Sequence, residues 1–287
     1  MSVDTLQEKI RKTKNPSVLQ LEAFYECPQQ LETLSVPAAV ESYTQQLLVS
    51  LKGIVPAVRF GFGSFALLGA VGLSILENLT KLAHDQGYYV LLDAPELLSP
   101  MQAENAATVF GGESCPYYWD ALVVSTYAGS DVLKPFVPLC KKGKALFPVV
   151  RTANKTASQI QDLLTGGRLV HTAVADIVNR QGEDAVGKCG YCQVGALAAA
   201  SNADSLRSLR GKYSRMFLLL DGYDYPNANA KNCSYAFDRL GHGAAACAGS
   251  SVFCAWKEGE SSQDPVAAAV AAAERMKKNL TRYISVL

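Results

Sequence analysis

No stretch of this sequence approaches about eighteen consecutive apolar residues free of charge, so no membrane-spanning helix is expected. Neither sign of charge dominates: 27 Lys and Arg face 26 Asp and Glu, a net of +1, and charged residues make up only 18% of the chain. The pI lies near 7.5. That balance lacks the basic footprint that nucleic-acid binding needs. The opening MSVDTLQEKIRKTKNP carries charges where a secretory leader needs an apolar stretch. These absences predict a soluble, cytoplasmic protein with neither a nucleic-acid nor a membrane partner. Histidine is scarce, with His84, His171 and His242 far apart. Eight cysteines are present, but Cys189 and Cys192 form the one CxxC, and zinc would want a second pair or histidines at ligand spacing. Cys247 and Cys254 lie in apolar surroundings, where a thiol behaves as a small hydrophobe. No metal and no disulfide framework are expected. Gly61-Phe62-Gly63 lacks the third glycine of a dinucleotide fingerprint and reads as a turn, so no cofactor is expected either.

What is present is apolar bulk, 49% of 287 residues, enough to bury a sizeable core. Eight short β-rich runs recur: PSVLQLE at 16–22, IVPAVRF at 54–60, YYVLLDA at 88–94, DALVVS at 120–125, ALFPVV at 145–150, YCQVGA at 191–196, MFLLLDG at 216–222 and HGAAACA at 242–248. They are apolar throughout rather than alternating, which suits strands buried on both faces of a parallel sheet. Helical spacing separates them. Leu68, Val71, Ile75, Leu76 and Leu79 make one apolar stripe. Asp264 and Pro265 read as an N-cap and first-turn proline for a final helix packing through Val270, Met276, Leu280 and Ile284. An extra helix is expected around Val170 to Val178. The pattern predicts a single-domain (β/α)₈ TIM barrel over residues 1–287, with a doubly wound open sheet as the alternative.

In such a barrel the chemistry lies at the carboxyl ends of the strands. The positions there are Glu22, Arg59, Asp93 to Glu96, Ser125 to Tyr127, Arg151, Asp221 to Tyr225 and Gly249 to Ser251. Arg59 and Asp93 fall on neighbouring strands and suit a buried ion pair, which is favoured over a catalytic pair because structural pairs perturb pKa values too. Asp93 and Glu96 are spaced for acid–base work, but Pro95 and the apolar Leu97-Leu98 argue for a structural turn. Gly249-Ser250-Ser251 reads either as an anion-binding turn opening a helix or as a simple strand-to-helix turn. Asp224, Pro226 and Asn227 supply turn chemistry, with Tyr223 and Tyr225 lining a pocket or covering the barrel mouth.

The strings DTLQEKIRKTKNPSV, IVPAVRF, YYVLLDA, DALVVSTYAGSDVLKPF, FPVVRTANKTASQIQDL, QVGA, LLLDGYDYP and GHGAAACAGSSVFCAW, in that order and spacing, resemble the orotidine 5′-phosphate decarboxylase family, in particular its longer bacterial branch. The likeness runs from about Asp4 to Leu287 and implies a barrel carboxy-lyase of pyrimidine biosynthesis. The family's active site is a lysine after strand two and a D-x-K-x-x-D string after strand three. In this chain Arg59 matches the first lysine and Asp93 the first aspartate, while Pro95 holds the second lysine position and Leu98 the second aspartate position. The resemblance implies that the missing lysine would protonate the carbanion carbon, and that the missing aspartate would reach a partner subunit's site. Among substrate-binding positions Glu22 replaces an aspartate, Ser125-Thr126 replaces asparagine-proline, Pro226 replaces the phosphate-gripping glutamine and Ser250 the phosphate arginine. Losing an arginine–phosphate contact alone costs about 1.5–3 kcal/mol. Arg151, Tyr223, Gly249 and Ser251 remain as candidate binding residues.

The expectation is a decarboxylase-like barrel without orotidylate decarboxylation, a pseudoenzyme with a ligand-binding or regulatory role. It would be a homodimer through the loop Pro95–Pro100, with weak affinity for a nucleotide or other small anionic ligand at Gly249-Ser250-Ser251. The alternative is an active lyase, either on orotidylate or with new chemistry around Arg59, Asp93 and Glu96.

Overall fold

The computed structural model describes residues 1–258 and 264–286. Eight parallel strands close into a barrel in the order β1-β10-β9-β8-β5-β4-β3-β2. They are β1 (Ser17–Leu21), β2 (Ala57–Gly61), β3 (Tyr89–Asp93), β4 (Ala121–Ser125), β5 (Ala145–Val149), β8 (Ala196–Ala199), β9 (Leu218–Asp221) and β10 (Ala244–Ala248). The strands β6 (Leu164–Thr165) and β7 (Arg168–Leu169) form a separate two-stranded hairpin. Closure of the sheet excludes the open doubly wound alternative. Among the described residues no helix is long and apolar enough to cross a membrane.

Each barrel strand has two buried faces, which is why its sequence does not alternate between apolar and polar. Val58, Phe60, Val90, Leu92, Leu122 and Val124 face outward and pack with the surrounding helices. Ala57, Leu91, Ala121, Val123, Phe147, Leu219 and Cys247 belong to the inner cluster. Large Tyr89, Phe147 and Phe217 interleave with small Ala57, Ala121 and Ala245, so the interior is filled rather than hollow. The N-terminal helix Val3–Thr13 stoppers the amino end of the barrel through Val3, Leu6 and Ile10. Its seat is fixed by Met1 N on Asp120 Oδ1 at 2.7 Å and by the Val3 N–H donating to Gln193 Oε1 at 2.7 Å.

Most sequence expectations sit on these elements, with four corrections. The YCQVGA run is set a few residues early: Val194 bridges Leu146 of β5 in parallel, but the regular strand follows it. Cys192 makes an isolated antiparallel bridge to Val186, and the barrel strand starts only at Ala196. The stripe on the helix Gly69–Asp85 is narrower than its spacing suggested. Ile75, Leu76 and Leu79 are buried, but Val71 is 58% exposed and Leu68 only partly covered. The last helix, Pro265–Thr281, begins on Asp264, which accepts from the Val266 and Ala267 amides. It packs mainly through alanines with Met276 and Leu280, while Val270 is only partly buried and Ile284 is buried beyond the helix end. The hairpin β6–β7 was not anticipated; the extra helix spans Val170–Gly182.

Candidate active site

The inward phase of β1, β2, β3 and β9 carries a polar residue to the carboxyl end of the barrel, because side chains alternate with period two. Counting from buried inner residues, Val18 leads to Gln20 and Glu22, Ala57 to Arg59, Leu91 to Asp93 and Leu219 to Asp221. Pairing places Gln20 opposite Arg59, and Gly61 opposite Asp93.

Arg59 is the hub. Its side chain is 5% exposed, and its Nη1 donates to Asp221 Oδ1 at 2.6 Å. Nη2 donates to Asp93 Oδ2, and Nη1 also reaches Gln20 Oε1 at 3.3 Å. Gln20 in turn donates to Glu22 Oε1 at 2.8 Å. Two buried polar atoms of this cluster lack a partner: Arg59 Nε and Asp93 Oδ1. Burial pushes Asp93 up to about 6; Arg59 opposes this, while Asp221 and Glu22 reinforce it. Arg59 stays charged, because the two carboxylates outweigh its own desolvation. Cys247 on β10 lies beside Arg59, and burial raises its thiol to about 12, so it is not a thiolate nucleophile.

The two glycines of Gly61-Phe62-Gly63 have a use that the sequence did not reveal. A β-carbon on Gly61 would overlap the Glu22 carboxylate, and one on Gly63 would overlap that of Glu96. Both acids therefore lean on the loop after β2. Glu96 lies on the mouth rim, its carboxyl raised by burial and by Glu22. Ser125 and Thr126 end β4 as buried residues, and Thr126 Oγ1 has no partner.

The Gly249-Ser250-Ser251 turn is already occupied by the chain itself. Asp224 accepts from the Gly249 N–H at 2.6 Å, from Ser250 Oγ at 3.4 Å and from Ser251 Oγ. The expected anion-binding donors are thus spent on an internal carboxylate. Arg151 is spent as well, in a bidentate pair with Asp162 (Nε–Oδ1 3.0 Å, Nη2–Oδ2 2.7 Å) that holds this acid below the usual carboxylate range. Beside Arg151 a cavity of about 600 Å³ opens between the loops after β5, β8 and β9, lined by Asn154, Lys155, Asn202 and Tyr225. Tyr225 borders this cavity, whereas Tyr223 packs half-buried against the core.

Glu22, Arg59, Asp93 and Asp221 come together, with Glu96 on the rim beside Glu22. Arg151 is tied instead to Asp162, and the Gly249–Ser251 turn to Asp224. Sequence reading placed Asp221 at a strand end without giving it a role, did not single out Gln20 or Asp162, and took Asp224 for turn chemistry. The inward phase of β1 and β9 was the available signal for Gln20 and Asp221. All eight cysteines are free thiols. Among the described residues, no three His, Cys, Asp or Glu side chains are grouped to hold a metal ion.

A filled parallel barrel with ionisable side chains at the carboxyl ends of its strands is the architecture of the (β/α)₈ enzymes. No family model matches the chain. It is 29% identical over 215 residues to the orotidine 5′-phosphate decarboxylase of Rhodopirellula baltica, covering 73% of this chain and 71% of that one. The Clostridium novyi enzyme of the same name is 23% identical over 266 residues, 91% of each chain. Solved structures carry the fold: Leishmania donovani UMP synthase matches with a TM-score of 0.74 at 22% identity, over 96% of this chain and 56% of that one. The Plasmodium berghei orotidine 5′-monophosphate decarboxylase gives 0.74 at 12% identity, over 98% and 99%. Over most of its length the chain is similar to bacterial orotidine 5′-phosphate decarboxylases.

Proposed function

We propose that this barrel has left orotidylate decarboxylation and acts as a ligand-binding or regulatory member of its family. The observation carrying this reading is the state of Arg59. Its guanidinium is divided between Asp93 and Asp221, and the segment after Asp93 brings Pro95, Glu96 and Leu98 but no ammonium group. Decarboxylation must stabilise a carbanion and then protonate it, and fixed positive charge aimed at the developing anion is where such catalysis gains most. A guanidinium already satisfied by two carboxylates offers little field, and arginine does not release its proton. Asp224, seated on the Gly249 amide, competes with any phosphate for the same donors. Two copies would pair through the rim, where Leu98 on the β3 loop is 54% exposed.

The test is loss of orotidylate absorbance with millimolar substrate. Turnover by the unmodified protein on the order of 1 s⁻¹, an ordinary enzyme rate, overturns the reading. Activity only after Pro95→Lys, Leu98→Asp and Ser250→Arg are combined would support it.

A further inference from the structure

We propose that this chain carries a second reactive centre, a Ser205–His171–Asp162 relay that hydrolyses small carboxylic esters. It shares no residue with the Arg59 cluster and goes beyond the reading above without resting on it.

Three separate elements bring the relay together. Asp162 is the C-cap of the short helix Ser158–Gln161, His171 is the second residue of the helix Val170–Gly182, and Ser205 lies in the first turn of the helix Ala203–Lys212. The Nδ1 of His171 is 2.9 Å from the carbonyl oxygen of Gln161 and 3.1 Å from Asp162 Oδ1. Both oxygens are acceptors, since Arg151 holds the Asp162 carboxyl below the usual carboxylate range. The proton of the neutral imidazole therefore sits on Nδ1 and donates to them. That leaves the Nε2 lone pair facing Ser205 Oγ at 3.4 Å, with the hydroxyl donating to it. Nucleophile, base and orienting acid stand in the order that acyl transfer uses. The hydroxyl contact is long, as such contacts often are before a substrate is bound.

The surroundings fix this order. His171 is 4% exposed and Ser205 6%. Arg151 grips both oxygens of Asp162 and so sets the plane of the carboxylate. Arg151 and Asp162 are positioning residues, while Ser205 and His171 would touch the substrate.

The relay also begins and ends at one cavity. Arg151 lines the opening of about 600 Å³ described above, and so do Asn202, Ala203 and Asp204, the three residues before Ser205. The Asn202 side chain takes the Ser205 amide at 3.0 Å. The amides of Ala203 and Asp204 open the helix and have no acceptor within it, so they are placed to stabilise an oxyanion. Asn154, Lys155 and Tyr225 make the remaining wall largely polar, which suits a short acyl group on a polar alcohol.

In the first step the Ser205 oxygen bonds to the ester carbonyl carbon and its proton passes to His171 Nε2. The bond from that carbon to the alcohol oxygen breaks, and His171 delivers the proton to the departing alcohol. Water then attacks the acyl-serine by the same route, releasing the carboxylic acid and restoring both side chains.

The first probe is diisopropyl fluorophosphate, from which the Ser205 oxygen would displace fluoride at phosphorus. Mass spectrometry of the native chain should find the diisopropylphosphoryl group on the peptide containing Ser205. His171→Gln should slow that labelling at least about 100-fold, the lower end of what a general base contributes. The second probe is 4-nitrophenyl acetate, whose turnover should be lost in Ser205→Ala. Asp162→Asn should lower kcat at least about tenfold at unchanged KM, with the Gln161 carbonyl still holding the Nδ1 proton. A mere clamp between two helices leaves Ser205 unlabelled in the native chain. That result, labelling as fast in His171→Gln, or turnover unchanged in Ser205→Ala overturns the proposal. Labelling of the native chain depends on no variant, so a variant that fails to fold does not rescue it.

Discussion

The carboxylate of Asp224 takes the backbone N–H of Gly249 at 2.6 Å, twenty-five residues further along the chain. Ser250 and Ser251 turn their hydroxyls onto the same group. The loop after β9 is thereby pinned to the turn after β10, and an anion-binding set of donors is satisfied from within. The Tyr25 hydroxyl closes the third side, since a β-carbon on Gly249 would overlap it.

Removing that internal anion should open the turn to an external one. Asp224→Ala frees one amide and two hydroxyls and deletes a negative charge. Charge-assisted hydrogen bonds contribute about 1.5–3 kcal/mol each, so affinity for inorganic phosphate or uridine monophosphate should rise at least about tenfold. Calorimetry on both proteins measures it. Equal affinities in two folded proteins would mean that Asp224 is not what keeps phosphate out.

Arg59 should be worth more to folding than any surface ion pair. Its side chain is 5% exposed and binds two acids, so truncation strands both. Breaking a buried pair by removing one partner costs about 3–5 kcal/mol. Arg59→Met should lose stability of that size in urea unfolding. Adding Asp93→Asn should restore part of it, because one stranded charge is then gone. A loss below about 1 kcal/mol, the ordinary surface-pair value, would contradict the burial argument.

Asp93 should give stability an unusual slope with pH. Burial lifts it from 3.8 toward about 6 in the folded state. The groups facing it are Glu22 after β1, Arg59 on β2, Asp221 on β9 and Cys247 on β10. Where the folded pKa is the higher one, the native state binds the extra proton, so its contribution is complete below the unfolded value and disappears as pH rises through the folded one. Between pH 3.8 and about 6 this residue therefore makes stability fall with rising pH, by up to about 3 kcal/mol. Asp162 works the other way, because Arg151 lowers its pKa and its contribution is lost on acidification. The difference between wild type and Asp93→Asn isolates the Asp93 share. If the two stability curves run parallel from pH 4 to 7, Asp93 does not titrate in this window.

How much of this was readable beforehand follows the range of each interaction. Runs such as YVLLD and ALVVS announce themselves because both faces of a barrel strand are buried, so the barrel was legible. β8 was misplaced because its residues, Ala-Leu-Ala-Ala, carry almost no β-propensity, while the neighbouring Tyr191 and Cys192 do. The hairpin β6–β7 turns on Gly166 and Gly167, both with positive φ, a turn signal too short to outweigh the surrounding polar loop. Arg59 with Asp93 was legible because neighbouring strands fix them side by side. The pairings of Asp221 and Asp224 were not, although both fall in the strand-end positions, since their partners lie across the barrel mouth or on a later loop.

The rim of the barrel carries an apolar surface suited to the proposed pairing of two copies. Leu98 on the β3 loop is 54% exposed, and Met101 one turn later is 73% exposed. On the neighbouring β2 connection Leu67 is 79% and Val71 58% exposed. Isolated apolar residues on a surface need no explanation, but four on adjacent connections at one end of the barrel do, and interface cores are built from such residues. The segment around Leu98 is fixed rather than floppy, because Ser99 and Gln102 form a reciprocal capping box that sets the start of the helix Pro100–Gly111. A preset apolar knob loses little entropy on docking. Light scattering at micromolar concentration should therefore give the mass of a dimer. Leu98→Asp should raise its dissociation constant at least tenfold while leaving the monomer folded, since an unpaired charge buried in an interface costs about 3 kcal/mol or more. A monomeric wild type would remove the dimer, and a Leu98→Asp protein that dimerises as tightly would place the contact elsewhere.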